Sequence, residues 1–231
     1  AFSVNIFSPL QKLFAKLLFP AFSHLHNNNL NLITEFCKTL KYSSFLIGTI
    51  IATGFMFSDE FVFFLLGSKW NSIIPILKIL YINTFFQLII FPFNMLFISI
   101  GKPKIRSYFS GANLIIVLAF FIPFSNWGHL LGVVILLLIS NIVIFISISW
   151  NTAKYININL IKIIKSIKYG VYISLFIISE SLLIMKFYPN PLLSILTFKV
   201  IILIITIFIC LFLFEGKNGL QLNYLINMLL P

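Results

Sequence analysis

Long apolar runs with no polar face restrict the folds open to this chain more than any other feature. Residues 200–214, VIILIITIFICLFLF, are apolar on every face. Strands of transmembrane barrels alternate apolar and polar residues, so such a run favours helices. Only 9% of the 231 residues are charged, against about a quarter in soluble domains, and the mean hydropathy is +1.08. The sequence therefore predicts an all-α polytopic membrane protein and excludes an ordinary soluble fold.

The number of apolar segments predicts how often the chain crosses the membrane. A spanning helix needs roughly 20 apolar residues, and turn-forming residues divide the chain into seven such segments. The first begins inside an apolar run, so we expect a fragment with one truncated N-terminal helix and six complete transmembrane helices. Pro92 predicts a kink in the third segment. The segments are residues 1–20, 42–57, 73–100, 107–124, 128–149, 168–188 and 192–214.

Basic residues gather in alternate connections between these segments. Residues 38–41, 102–106 and 154–168 are rich in Lys and Arg, whereas the intervening connections hold Lys69, beside two acids, and Lys186. The positive-inside rule makes the basic set cytoplasmic and places the C-terminus inside a bacterial plasma membrane. Topology thus accounts for the net charge of +11, and no nucleic acid partner is expected. An amphipathic stretch at residues 31–41 is expected to lie along the membrane surface.

Three short motifs suggest a family. Residues 17–25 (LLFPAFSHL), 65–70 (LLGSKW) and 100–104 (IGKPK) resemble, in order and spacing, the C-terminal half of bacterial polysaccharide flippases. These proteins carry O-antigen and capsule repeat units and form part of the multidrug/oligosaccharidyl-lipid/polysaccharide exporter superfamily. The resemblance implies a partial C-terminal lobe in residues 1–150, whose missing partner is an N-terminal lobe. It also implies a C-terminal transmembrane hairpin with a short cytoplasmic tail in residues 151–231.

The function implied by this resemblance is the flipping of undecaprenyl-pyrophosphate-linked oligosaccharides for lipopolysaccharide or other cell-surface polysaccharides. A multidrug cation antiporter, a membrane enzyme of polysaccharide assembly and an inactive remnant are the alternatives. The sequence holds no Gly-rich phosphate loop, nucleophile elbow or zinc motif. We therefore expect no enzyme activity, no catalytic residue, no metal and no cofactor, with membrane lipids as the remaining partners.

A polar stripe in the first segment is the leading candidate for substrate binding. At 100° per residue, Asn5, Ser8, Lys12 and Lys16 fall within an arc of roughly 80°. Ammonium groups on a lumen wall would attract the pyrophosphate of the lipid-linked substrate. The alternative is that both lysines snorkel to the cytoplasmic headgroups.

Five further polar residues lie inside predicted spans. Asn83 and Gln87 are i,i+4 neighbours that either bind sugar hydroxyls in a lumen or form interhelical hydrogen bonds. Glu180 and Lys199 lie at similar depth in one helical hairpin, which predicts a structural ion pair. The alternative for Glu180 is a proton or cation site for coupled transport. Lys78 is expected to snorkel outward.

Overall fold

The computed structural model describes residues 29–187 and, beyond them, Lys199, Val200, Leu203, Ile204 and Thr206. Helices make up nearly all of this part of the chain, and no strand occurs in it. A π-helical turn (Val62–Leu66) and a 3-10 helix (Ser68–Ile73) connect the second and third α-helices. The α-helices are α1 (Asn29–Met56), α2 (Ser58–Phe61), α3 (Ile74–Ile89), α4 (Phe91–Ser99), α5 (Pro103–Tyr155) and α6 (Leu160–Phe187).

Helices α1 and α6 pack closely and run in the same direction. The Ser44 hydroxyl lies 3.5 Å from the carbonyl oxygen of Ser166, and Gly48 faces Gly170 four residues further along both helices. A Cβ on Gly170 would clash with the backbone of Ser44, so only glycine permits this approach. Small residues serve the same purpose in membrane helix pairs, where close backbone contact replaces the hydrophobic driving force.

Helices α3 and α4 return along α1 in the opposite direction. Tyr81 packs against Gly54 near one end of α1, and the rings of Phe93 and Phe36 meet edge to face at 5.3 Å near the other. Pro92 lies in the first turn of α4, directly after the break at Ile90. Proline fits there because N–H groups in the first turn of a helix have no intrahelical acceptor, so the missing N–H removes no hydrogen bond. A one-residue break thus lies beside Pro92, while residues 68–99 still form one helical stretch, and the kink itself remains a prediction.

Helix α5 is a hairpin of two helices rather than one straight rod. Its 53 residues would extend about 80 Å at 1.5 Å per residue, far beyond the roughly 30 Å of hydrocarbon in a bilayer. His129 departs from helical geometry with φ 48° and ψ −128°, and the carbonyl of Phe124 lies against Gly132. Residues eight apart in a straight helix are about 12 Å apart. The chain has therefore folded back, close to the break predicted between the fourth and fifth segments.

The segment predicted to lie along the membrane surface is instead part of α1. Residues 31–41 continue without interruption into the following apolar residues. Their apolar stripe, formed by Leu32, Phe36 and Leu40, is at most 2% exposed and belongs to the core of the bundle. Neighbouring helices thus cover the apolar stripe, which the sequence analysis expected to face lipid.

Two helical stretches are long and apolar enough to cross a membrane, residues 68–99 and the whole of α5, which counts here as one stretch although it folds back at His129. The bent pair of α1 with residues 58–66, broken by 55°, adds a third if it counts as one span. These candidates are confined to the described residues. The described residues therefore show an all-α protein with helices suited to a membrane. Six complete helices plus a truncated one remain a prediction.

Most of the described cations lie toward one end of the bundle, whereas the acids of the other end pair with Lys78 and Lys199. At one end, Lys102 lies 4.1 Å from the ring centre of Tyr155, and Lys41 lies 4.8 Å from that of Tyr169. At the opposite end, Asp59 and Glu60 follow the bend after α1. The charge asymmetry read from the sequence therefore exists in three dimensions, and the positive-inside rule predicts that the basic end is cytoplasmic.

Candidate functional site

A cavity of about 350 Å³ opens between α1 and α6 at the basic end of the bundle. Residues at three- and four-residue spacing share one face of a helix, and this spacing brings the lining residues of each helix together. Lysines form nearly half of the wall. The lining residues are Ile33, Thr34, Cys37, Lys38 and Lys41 from α1, and Lys162, Lys165, Ser166 and Tyr169 from α6.

The electrostatics of this basic cavity favour an anion. Lys38 pairs with Glu35 at 2.6 Å on the exposed side of α1. Within the described part of the chain, neither Lys162 nor Lys165 forms an ion pair, and no acid lines the cavity. The ammonium of Lys168 lies 5.0 Å from the ring centre of Tyr169 and adds a further positive charge nearby.

Phosphate is one anion that these groups can bind. Lysine binds phosphate as a mobile point charge, and the hydroxyls of Thr34 and Ser166 stand in the same wall. A volume of about 350 Å³ falls in the range of small-ligand pockets, about 300–1,000 Å³. No cluster of three or more metal-ligating side chains occurs among the described residues.

Asn83 forms an interhelical hydrogen bond. Its side-chain oxygen accepts from the Asn141 amide at 2.8 Å, and both residues are buried. This contact joins α3 to the second half of α5, which is the second of the two roles considered for Asn83. Gln87, one turn further along α3, is half-buried. Its proposed contact with sugar hydroxyls remains a prediction.

The structure gives Lys199 a different partner from the one predicted. Its ammonium pairs with the carboxylate of Glu60 and also donates to the Met56 carbonyl oxygen at 3.3 Å. The carboxylate of Glu180 instead accepts from the Thr206 hydroxyl at 2.9 and 3.1 Å. The sequence analysis counted Glu60 only as one of two acids in the connection that holds Lys69, whereas the bend after α1 turns it inward, where it is 4% exposed.

Lys78 does not extend freely to the membrane surface. It forms a bidentate contact with Asp59 at 2.8 and 3.2 Å, and both side chains are mostly buried. The neighbouring acids Asp59 and Glu60 therefore connect the bend after α1 to two different parts of the chain. The remaining candidates, Asn5, Ser8, Lys12 and Lys16, lie outside the described residues.

The basic cavity itself did not emerge from the sequence. Lys38 and Lys41 are separated from Lys162 by more than a hundred residues, and the sequence analysis used them only as topology signals. One sequence signal could have indicated the cavity, because both groups of lysines lie near the start of helices on the same predicted side of the membrane. Parallel neighbours in a bundle would then bring the two groups together.

Two comparisons with known proteins bear on function. Residues 3–75 match a family model described as "Polysaccharide biosynthesis protein". The chain is 24% identical over 133 residues to an "Uncharacterized membrane protein in cps region" of Klebsiella pneumoniae. That alignment covers 58% of this chain and 27% of the relative, so the chain spans about a quarter of that protein's length. No solved structure gives a significant match. Both similarities support the resemblance to a polysaccharide flippase-type family.

Proposed function

We propose that this chain is part of a transporter that flips lipid-linked oligosaccharide repeat units across the plasma membrane. The observation that carries the proposal is the match of residues 3–75 to a polysaccharide biosynthesis family in a chain of apolar, spanning-length helices. A sugar headgroup with a diphosphate cannot cross about 30 Å of hydrocarbon unaided, because every buried polar group loses its water. A polar passage through a helical bundle removes that barrier.

The polar stripe of the first segment is the proposed substrate contact. Asn5, Ser8, Lys12 and Lys16 all fall inside the matched residues. Two ammonium groups in a partly dehydrated lumen would attract a diphosphate more strongly than they would in bulk water. Alternating access between this lobe and an N-terminal lobe would then carry the headgroup from the cytoplasmic leaflet to the outer one.

The pairing of the acids favours this proposal over a multidrug cation antiporter. Cationic cargo and ion coupling need acidic groups open to a lumen. The chain has five acids, and four of them lie in the described residues. Glu35, Asp59 and Glu60 each pair with a lysine, and Glu180 accepts from Thr206. These contacts already engage each of the four carboxylates.

A cellular experiment tests the proposal. We expect disruption of the gene for the full-length protein to abolish surface polysaccharide and to accumulate lipid-linked repeat units on the cytoplasmic face. Digestion of intact spheroplasts by an added glycosidase, compared with lysed ones, reports which face carries them. Repeat units that accumulate on the outer face would contradict flipping and indicate a later step, such as polymerisation.

A further inference from the structure

We propose that the basic cavity between α1 and α6 binds the phosphate headgroup of a membrane lipid. The proposal goes beyond transport and does not depend on it, since the cavity belongs to residues outside the polar stripe. Its lysines line one cavity from two parallel helices, with Lys38 and Lys41 on one side and Lys162 and Lys165 on the other, so a phosphate group in the cavity would lie among cations of both helices. Basic pockets between helices on the cytoplasmic side of a membrane are typical of lipid headgroup sites.

The exposed face of α6 distinguishes a lipid from a free anion. Lys165, Lys168, Tyr172 and Leu175 follow one another at three- and four-residue spacing, so they form one stripe along the helix. Tyr172 is 56% exposed and Leu175 is 58% exposed, and Phe176 beside them is 51% exposed. The stripe thus begins with cations at the cavity and continues as apolar surface that the described residues leave exposed.

The dimensions of this stripe match one leaflet of a bilayer. From Lys165 to Phe176 the helix rises about 16 Å, close to half of the roughly 30 Å hydrocarbon thickness. A lipid whose phosphate occupies the cavity would therefore lay its chains along the exposed α6 residues. Ile161 and Ile164, 56% and 66% exposed beside the cavity lysines, add apolar surface at the headgroup boundary.

Two sources of lipid phosphate share this chemistry. One is an anionic phospholipid of the surrounding leaflet, and the other is the diphosphate of a polyprenyl carrier. Both combine a phosphate with an apolar chain, whereas inorganic diphosphate offers the charge alone. Separate binding measurements with each compound therefore identify the source and test whether the α6 stripe contributes.

The experiment is native mass spectrometry of the full-length protein, purified in a neutral detergent. Phosphatidylglycerol, polyprenyl diphosphate, phosphatidylcholine and inorganic diphosphate are added in separate samples. We expect at least one of the two phosphate lipids to be retained over phosphatidylcholine. We expect Lys162→Gln with Lys165→Gln to weaken that retention about tenfold or more, because both substitutions remove charge-assisted hydrogen bonds to the phosphate.

A matched pair of variants separates this site from general charge. Lys104→Gln with Lys154→Gln removes two exposed lysines that do not line the cavity, and it should leave lipid retention unchanged. Lys162→Arg with Lys165→Arg should keep binding and so control for folding. Binding of inorganic diphosphate alone, binding of neither lipid, or an equal loss in the Lys104 and Lys154 variant would overturn the proposal.

Discussion

The ammonium of Lys199 pairs with the carboxylate of Glu60 in the interior of the bundle, where the residues are 2% and 4% exposed. The same ammonium donates to the Met56 carbonyl oxygen at the end of α1. Oε2 of Glu60 is buried and has no hydrogen-bond partner in the described structure. One ion pair therefore joins the bend after α1 to a residue 139 positions further along the chain.

Breaking this pair should be costly, whereas removing both charges should not be. Lys199→Met leaves a buried carboxylate uncompensated, and such losses amount to about 3–5 kcal/mol. We expect Glu60→Gln to restore most of the stability of Lys199→Met, as followed by thermal unfolding of the detergent-solubilised protein. Glu180→Gln is the matched control and should restore nothing. Recovery with Glu180→Gln instead of Glu60→Gln would contradict the pairing.

Breaking the ion pair of Asp59 and Lys78 should destabilise the protein less than breaking the pair of Glu60 and Lys199. Both side chains retain some exposure, 21% and 16%, so solvent screening reduces the contribution of the pair. Asp59→Asn is expected to destabilise the protein by about 1 kcal/mol. Exchange of the charges, Asp59→Lys with Lys78→Asp, should recover part of that loss in the same unfolding measurement. Strictly additive losses in the exchange would show that the two residues do not interact.

The contact between α1 and α6 should depend on two glycines that lack a Cβ, Gly48 and Gly170. Gly170→Val introduces a side chain where the Ser44 backbone already lies, so the helices must separate. We expect the free energy of unfolding to fall by about 1–3 kcal/mol or more, which is typical of overpacking. Gly111→Val is the control, since a Cβ there meets no atom within 4 Å apart from the neighbouring backbone of its own helix. Equal effects of the two substitutions on thermal stability would argue against the close packing of α1 on α6.

The turn at His129 and the basic end should lie on opposite sides of the membrane. With Cys37 and Cys210 replaced by Ser, an impermeant thiol reagent added to intact cells should label Asn126→Cys. Lys104→Cys and Asn157→Cys should react only after lysis, and all three native residues are exposed in the structure. Labelling of Lys104→Cys from outside would reverse or break the topology on which the positive-inside argument rests.

Local chemistry made some features predictable from the sequence. Pro92 and the Ser125–Gly128 region act on their own backbone, so a one-residue break at Ile90 lies beside the proline, and the chain folds back at His129, next to the predicted turn. Partner choice over long distances could not be predicted in this way. The partner of Lys199 depends on how the bend after α1 is packed, and the basic cavity depends on which helices become parallel neighbours.

Reconstitution of the full-length protein into vesicles tests the central claim most directly. The vesicles would contain a fluorescent oligosaccharide linked to polyprenyl diphosphate, and an impermeant quencher would report its arrival in the outer leaflet. We expect transfer well above that of protein-free vesicles, loss of transfer with Lys12→Gln and Lys16→Gln together, and retained transfer with the corresponding Arg substitutions, which preserve the charge. Transfer no faster than in protein-free vesicles would contradict the proposed function.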